Sequence, residues 1–351
     1  MNKRTKTLII LSPGFPKNEE DTTCLPPQQV FVRSLRAEHP DLNIIMLSFQ
    51  YPFAATEYDW HGVKVIAFGG EGRDGFTRRK LWFKVWRKLL QLNRQYQLIG
   101  LLSFWLDECA FVAHCFSKYK NIKHRCWMLG QDAKAGNRYV KWIKPDEGEL
   151  IALSDFMVSE FNRNYGLKPK AVVPVGIDTQ MFNLTPVGKD IDIIGAGSLI
   201  PLKRFDLFIE VVDLLRQSYP GIKTVICGSG PERERLQALI ISKKLENNIR
   251  LLSELPHKDL LEMMQRSKIL FHPSEYEGFG AVSLEALYAG ARVVSFVKPM
   301  NDEIANWHIV NTLQQAEQVI GSLLGNTGLK FEAVLPFDIR DNVNRMMELF
   351  E

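Results

Sequence analysis

The sequence predicts an α/β protein built as two parallel-sheet domains. Three observations predict it. Short apolar runs alternate with amphipathic stretches along the whole chain, the pattern left by strands and helices laid down in turn. The chain has 351 residues, more than one ordinary hydrophobic core organises. Near the middle lies a polar stretch with proline and glycine, Phe182-Asn183-Leu184-Thr185-Pro186-Val187-Gly188-Lys189, which reads as a linker. The expected domains are therefore residues 1–185 and 186–337, with 338–351 forming a C-terminal helix that packs back on the first domain.

In the first half the expected strands are 6–11, 43–49, 63–67, 97–103, 125–129, 149–153 and 171–175; in the second they are 190–196, 222–227, 248–252, 268–272 and 291–296. Helical patterns separate most of them. In 203–216, Phe205, Phe208, Ile209, Val212 and Leu215 fall on one face of a helix. Parallel sheets covered by helices place ligands at the carboxyl ends of their strands. The residues just after each strand are therefore the ones to read for chemistry.

Composition narrows the function class. The apolar fraction, 46%, and the charged fraction, 24%, are ordinary for a globular protein. No apolar run approaches the ~20 residues that span a bilayer. The opening run Thr7-Leu8-Ile9-Ile10-Leu11 is shorter than the ~7–15 apolar residues of a secretory signal and reads as a buried strand. Cys24, Cys109, Cys115, Cys126 and Cys227 are odd in number, without metal-ligand spacing, and read as reduced thiols of a cytoplasmic protein. Residues 1–185 hold 26 Lys and Arg against 18 Asp and Glu, and the remainder holds 18 against 22. The basic first half suggests an anionic partner.

The most informative stretch is His272-Pro273-Ser274-Glu275-Tyr276-Glu277-Gly278-Phe279-Gly280, followed by a helix from about Ala281. A strand, Ile269-Leu270-Phe271, runs into it. Glycines let a ligand approach the backbone, and the free N–H groups of a helix start favour anions and hydroxyl acceptors. Glu285 lies one turn along and points back toward the helix start. Two carboxylates about a glycine-lined pocket suit sugar hydroxyls. A second glycine turn, Gly195-Ala196-Gly197-Ser198, leads through Lys203 and Arg204 into a helix, an arrangement suited to phosphate. A third turn, Gly228-Ser229-Gly230, falls between these two in the chain. The first-half candidate is Asp132, at the exit of the strand that carries Cys126 and Trp127. Asp190-Ile191-Asp192 precedes the carboxyl end of its strand and is rejected as a metal site.

Taken in order, these motifs resemble the family-four (group 1) retaining glycosyltransferases of GT-B architecture, whose two Rossmann-like domains face a central cleft. The second half carries the resemblance, from about 190 to 296. Glu277 and Glu285 match the Glu-x7-Glu signature. The resemblance implies that Glu277, Gly278, Phe279 and Gly280 meet the donor sugar, that Glu285 holds the nucleotide ribose, and that Leu251 and Leu252 lie by the base. Gly197 and Lys203 match the family's phosphate-binding turn, while Ser198 stands where the family has Arg, leaving Arg204 or a hydroxyl to take that contact. Gly228 matches the third turn. In the first half, Leu129 stands where many members have a His, and Gly130 and Asp132 fit the G-x-D that follows. The expected catalytic set is Glu277, Lys203 and Asp132. The resemblance further implies that the departing diphosphate accepts the acceptor's proton, with no metal and no cofactor besides the donor.

The implied activity is transfer of a hexose-type sugar from a UDP- or GDP-sugar to a glycan or lipid-linked acceptor, in cell-surface polysaccharide or glycolipid synthesis. Residues 78–96 hold seven Lys and Arg and no acid. Lys80, Lys84, Arg87, Lys88, Gln91 and Arg94 share one helical face, which suits an anionic membrane surface. The expected location is the cytoplasm, peripheral to the inner face of the plasma membrane. Nucleic acid is excluded as a partner, since no recognised binding module accompanies the basic stretch. Two alternatives remain open: a nucleotide-sugar epimerase of the same architecture, and a catalytically impaired nucleotide-sugar binder, favoured by Ser198 and Leu129. A dehydrogenase is disfavoured because no G-x-G-x-x-G follows the first strand.

Overall fold

The computed structural model describes residues 4–183 and 187–351. The chain divides into two compact units, residues 1–176 with 339–351, and residues 177–338. Each unit is a parallel sheet flanked by helices.

In the first unit the order is β1 (Lys6–Gly14), α1 (Pro26–Glu38), β2 (Asn43–Tyr51), β3 (Thr56–Trp60), β4 (Val63–Ala67), α2 (Phe76–Gln95), β5 (Gln97–Phe104), α3 (Glu108–Lys120), β6 (His124–Met128), α4 (Arg138–Ile143), β7 (Leu150–Ala152), α5 (Asp155–Tyr165) and β8 (Ala171–Val172). The sheet runs β3-β4-β2-β1-β5-β6-β7-β8, with β3 antiparallel to β4. Leu8, Ile9, Ile10 and Leu11 of β1 are fully buried at its centre. A near-continuous apolar run is what a strand covered on both faces requires.

The second unit runs β9 (Ile191–Ala196), α6 (Phe205–Leu215), β10 (Thr224–Cys227), α7 (Arg233–Ser242), β11 (Ile249–Leu252), α8 (His257–Gln265), β12 (Ser267–His272), α9 (Ala281–Tyr288), β13 (Arg292–Ser295), β14 (Trp307–Ile309) and α10 (Leu313–Gly325). Its sheet order is β11-β10-β9-β12-β13-β14, parallel at every pairing. The five apolar positions expected on one face of α6 are all buried, packed against Ile193, Ile226 and Phe271 of the sheet. β9 and β12 pair directly, so the loops that follow them leave the sheet side by side.

The last helix, α11 (Ile339–Glu348), belongs to the first unit. Asn342 Nδ2 donates to Pro174 O at 3.0 Å, and Arg125 Nε donates to Leu349 O at 3.1 Å. Phe350 fills the space left by Gly100, where a Cβ would lie 2.2 Å from its ring. The change between units falls after Gly176 rather than at 185. Ile177 N donates to Phe337 O at 2.9 Å and Ile177 bridges Asp338, which ties 177–183 to the second unit. Of the expected linker, Leu184, Thr185 and Pro186 lie outside the described residues.

Two strands were not anticipated, β3 and β14. Both are sheet edges, and edge strands carry too few buried side chains to show an apolar pattern. In α2, Leu81, Val85, Leu89 and Leu92 are buried. Trp82 donates Nε1–H to Glu108 at 2.6 Å and packs on Phe111, and Trp86 packs on Phe116 and Tyr119. Phe83 is 63% exposed. Among the described residues no helix is long and apolar enough to cross a membrane.

Candidate active site

The site candidates of the second unit cluster at the carboxyl end of its sheet. Three turns there depend on one another. Gly197 N donates to Cys227 O at 3.0 Å, and Leu199 N donates to Ser229 O at 2.8 Å. The turns after β9 and β10 are packed so closely that a Cβ on Gly228 would stand 1.9 Å from Gly197 O. The loop after β12 joins them through Glu275 N, which donates to Leu202 O at 3.0 Å. Lys203 closes a 3-10 turn, Pro201–Lys203, just before α6. These main-chain ties place Lys203 against the loop of Glu277, 74 positions away in sequence.

Lys203 Nζ donates to Glu277 Oε2. The same oxygen lies 3.1 Å from His272 Nε2, which also faces Ser274 Oγ at 3.1 Å. Burial pushes the Glu277 carboxyl up, but the His272 hydrogen bond and the Lys203 charge outweigh it and hold the group at about 2. Glu277 is therefore ionised. Burial lowers His272, so the imidazole is neutral and donates through Nε2 while its buried Nδ1 has no hydrogen-bond partner. Gly280, at φ +86°, caps α9 in the left-handed region, and Ser283 N donates to its carbonyl at 2.8 Å. Phe279 anchors this loop, its buried ring set edge-on against Trp307 and Phe337. That leaves the backbone of Gly278-Phe279-Gly280, rather than the Phe279 ring, to meet a ligand.

Glu285, on the second turn of α9, has its own partner. His257 Nε2 lies 2.7 Å from Glu285 Oε1, and His257 is the first residue of α8. The main-chain oxygens of Leu251 and Leu252 accept from the Arg233 guanidinium at 3.1 and 3.0 Å. A base reaching those carbonyls shares or displaces the Arg233 bonds. Ser198 is exposed. Arg204, at φ +51°, turns its Nε to Asp206 at 3.3 Å. Lys203 is thus the cation held against Glu277, while Arg204 is engaged with its own helix. Asp190 pairs with Arg266 and Asp192 with Lys268.

In the first unit, Asp132 is buried and its carboxylate accepts from three main-chain N–H groups, those of Leu106 at 2.9 Å, Gly130 at 2.8 Å and Leu129 at 3.2 Å. Burial raises its pKa and those donors lower it, the net being upward. Asp132, expected as a catalytic group, thus joins the loop after β5 to the loop after β6, the geometry of a loop-organising residue. Sequence reasoning missed His272, His257 and Arg233. His272 had a visible signal, a polar residue at a buried strand end. His257 and Arg233 act across 28 and about 19 positions, with no local pattern.

With that geometry in view, residues 176–313 match the family described as glycosyl transferases group 1. The chain is 27% identical over 164 residues to a phosphatidylinositol N-acetylglucosaminyltransferase subunit from Arabidopsis thaliana, covering 45% of this chain and 37% of that protein. It spans less than half the length of the first curated relatives it matches, 37% to 43%. Among solved structures it resembles a glycosyltransferase from Rickettsia africae, at TM-score 0.73 and 15% identity, over 100% of this chain and 98% of that one. It also resembles Anabaena HepE, solved with UDP and glucose, at TM-score 0.67 and 15% identity, over 98% of each chain. Identities this low carry the fold alone, two parallel-sheet α/β domains of the GT-B type. Signature, family match and fold agree: residues 176–313 match the group 1 glycosyltransferases, within a fold of the GT-B type.

Proposed function

We propose that this protein is a retaining hexosyltransferase that takes its sugar from a UDP-sugar and works without a metal ion. The observation that carries the reading is the Lys203–Glu277–His272 cluster at the mouth of α9. It offers an ionised carboxylate for sugar hydroxyls and a cation for the diphosphate, beside the positive end of the α9 dipole. UDP as the nucleotide half is supported by its presence in the Anabaena structure.

In the proposed reaction the bond between the anomeric carbon and the diphosphate oxygen breaks, and negative charge grows on the departing diphosphate. Lys203 exchanges Glu277 for that phosphate and stabilises the charge. His272 keeps Glu277 in place and ionised while the lysine moves. The acceptor oxygen attacks from the face the diphosphate leaves, and its proton passes to the diphosphate. The new bond keeps the anomeric configuration, and the products are UDP and the glycosylated acceptor. Positioning supplies the rest of the rate.

For the acceptor we propose a lipid-linked molecule at an anionic membrane surface, in glycolipid or cell-surface polysaccharide synthesis. Two observations support it: the name of the Arabidopsis relative includes phosphatidylinositol, and α2 presents Lys84, Arg87 and Arg94 with no carboxylate paired to them among the described residues. The test is a thermal-shift series with UDP- and GDP-sugars, followed by assay of UDP release with and without EDTA. Stabilisation by a UDP-sugar with EDTA-resistant release supports the reading. Stabilisation by GDP-sugars alone, or release that needs a divalent ion, refutes the corresponding part. Tight binding without turnover is the result expected of an impaired binder, the alternative that Ser198 favours.

A further inference from the structure

A second polar cluster lies in the first unit, at the amino end of its sheet, opposite the end where such sheets bind substrates. His124 opens β6, Glu149 immediately precedes β7, and His114 projects from α3. His114 Nδ1 lies 2.7 Å from Glu149 Oε1, and His124 Nδ1 meets the same oxygen. One donor atom from each residue lies within 4.8 Å of the others. The other carboxylate oxygen, Glu149 Oε2, is buried without a hydrogen-bond partner. Glu149 N donates to Asp146 Oδ1 at 2.9 Å, and His124 Nε2 faces Ser103 Oγ at 2.9 Å.

Among the described residues no lysine or arginine pairs with Glu149, and its Oε2 is a buried acceptor without a partner, which calls for a ligand of its own. Two imidazole nitrogens and one carboxylate are a donor set of zinc type. Ser103 supplies the outer hydrogen bond that fixes the tautomer of a ligating histidine. The His114 side chain remains 14% exposed, which leaves a path for an ion and a water.

We propose that His114, His124 and Glu149 bind one divalent transition-metal ion of the zinc class, which pins α3 to the starts of β6 and β7. Each histidine binds as the neutral tautomer with its single ring proton on Nε2, which leaves the Nδ1 lone pair for the ion, and the Nε2–H of His124 donates to Ser103 Oγ. Glu149 rotates Oε1 away from the two rings by a few tenths of an ångström and takes the ion in their place. The site is structural, and it is independent of the donor residues in the second unit.

The test uses the full chain, stripped with a chelator and titrated with Co2+ alone, followed by visible absorption and by competition with Zn2+. One Co2+ per chain is expected, with visible ligand-field bands, no thiolate charge-transfer band, and displacement by Zn2+. His114→Gln, at the partly exposed ligand, should weaken binding by ~10-fold or more and abolish the rise in Tm that Zn2+ gives the wild type. Glu149→Gln should do the same; if that variant does not fold, His114→Gln decides. Three results overturn the proposal: no uptake by the wild type at millimolar Co2+, uptake unchanged in His114→Gln, or a thiolate band showing that a cysteine such as Cys115 holds the ion.

Discussion

Replacing Lys203 by methionine removes the charge and keeps most of the side-chain volume. Lys203 pairs with Glu277; in the proposed complex it faces the diphosphate. The variant therefore loses a charge-assisted contact and also leaves the ionised Glu277 beside the phosphates. Loss of one hydrogen bond to a charged group costs ~1.5–3 kcal/mol, so the Kd for UDP should rise by roughly 10- to 150-fold. Uridine carries no phosphate and should bind as it does to the wild type. Adding Glu277→Gln to Lys203→Met removes the repulsion and should restore part of the UDP affinity, a coupling of ~1 kcal/mol in the double-mutant cycle. Turnover should fall further than UDP affinity, since the charge on the leaving group grows in the transition state. Calorimetry with UDP and uridine on the four proteins is the assay. Equal losses for UDP and uridine, or an unchanged Kd for UDP, would refute the placement of Lys203 at the diphosphate.

Other expectations follow from the same geometry. Glu285→Ala should weaken both UDP and uridine by ~1.5–3 kcal/mol, measured by calorimetry; unchanged affinity removes Glu285 from the ribose site. Gly228→Ala forces a Cβ to within 1.9 Å of Gly197 O, so it should destabilise the protein by ~3 kcal/mol or more in urea unfolding, and a neutral effect would contradict the packing of these turns. The folded Glu277 carboxyl sits at about 2 against an ordinary 4.5. Its contribution of ~3 kcal/mol is fully present above pH ~4.5 and disappears as the pH falls through ~2, so Glu277→Gln should flatten the acid limb of the stability curve. Changing Lys80, Lys84, Arg87 and Lys88 together to Gln should release the protein from anionic vesicles. Attachment should be salt-sensitive, since Trp82 and Trp86 are packed inward; sedimentation indifferent to vesicle charge would make this only a solvated face.

The residue cluster of the second unit was legible in the sequence because most of it is contiguous. His272 to Glu285 forms one strand end, loop and helix start, and glycine and glutamate at fixed spacing have few other uses. The apolar face of α6 was legible for the same local reason. What was not legible depends on contacts between distant segments. Nothing near Glu285 announces His257, and nothing near Leu251 announces Arg233. Asp132 drew notice as a strand-exit carboxylate, yet its role is set by Leu106 N–H, 26 positions away. The pairing of Lys203 with Glu277 needed the adjacency of β9 and β12, which a chain order alone does not supply. β3 and β14 escaped because an edge strand shows little burial. The same limit hid the His114–His124–Glu149 cluster, whose three members arrive from a helix and two strand starts.

In the proposed function this site releases a sugar from UDP with its anomeric configuration retained. Proton NMR during hydrolysis of an α-linked UDP-sugar by the enzyme, with water as acceptor, tests it most directly, because the anomer formed first is seen before mutarotation scrambles it. The α-anomer should appear first, EDTA should leave the rate unchanged, and Lys203→Met should slow it by ~100-fold or more. Appearance of the β-anomer first, or a rate indifferent to loss of Lys203, would contradict it.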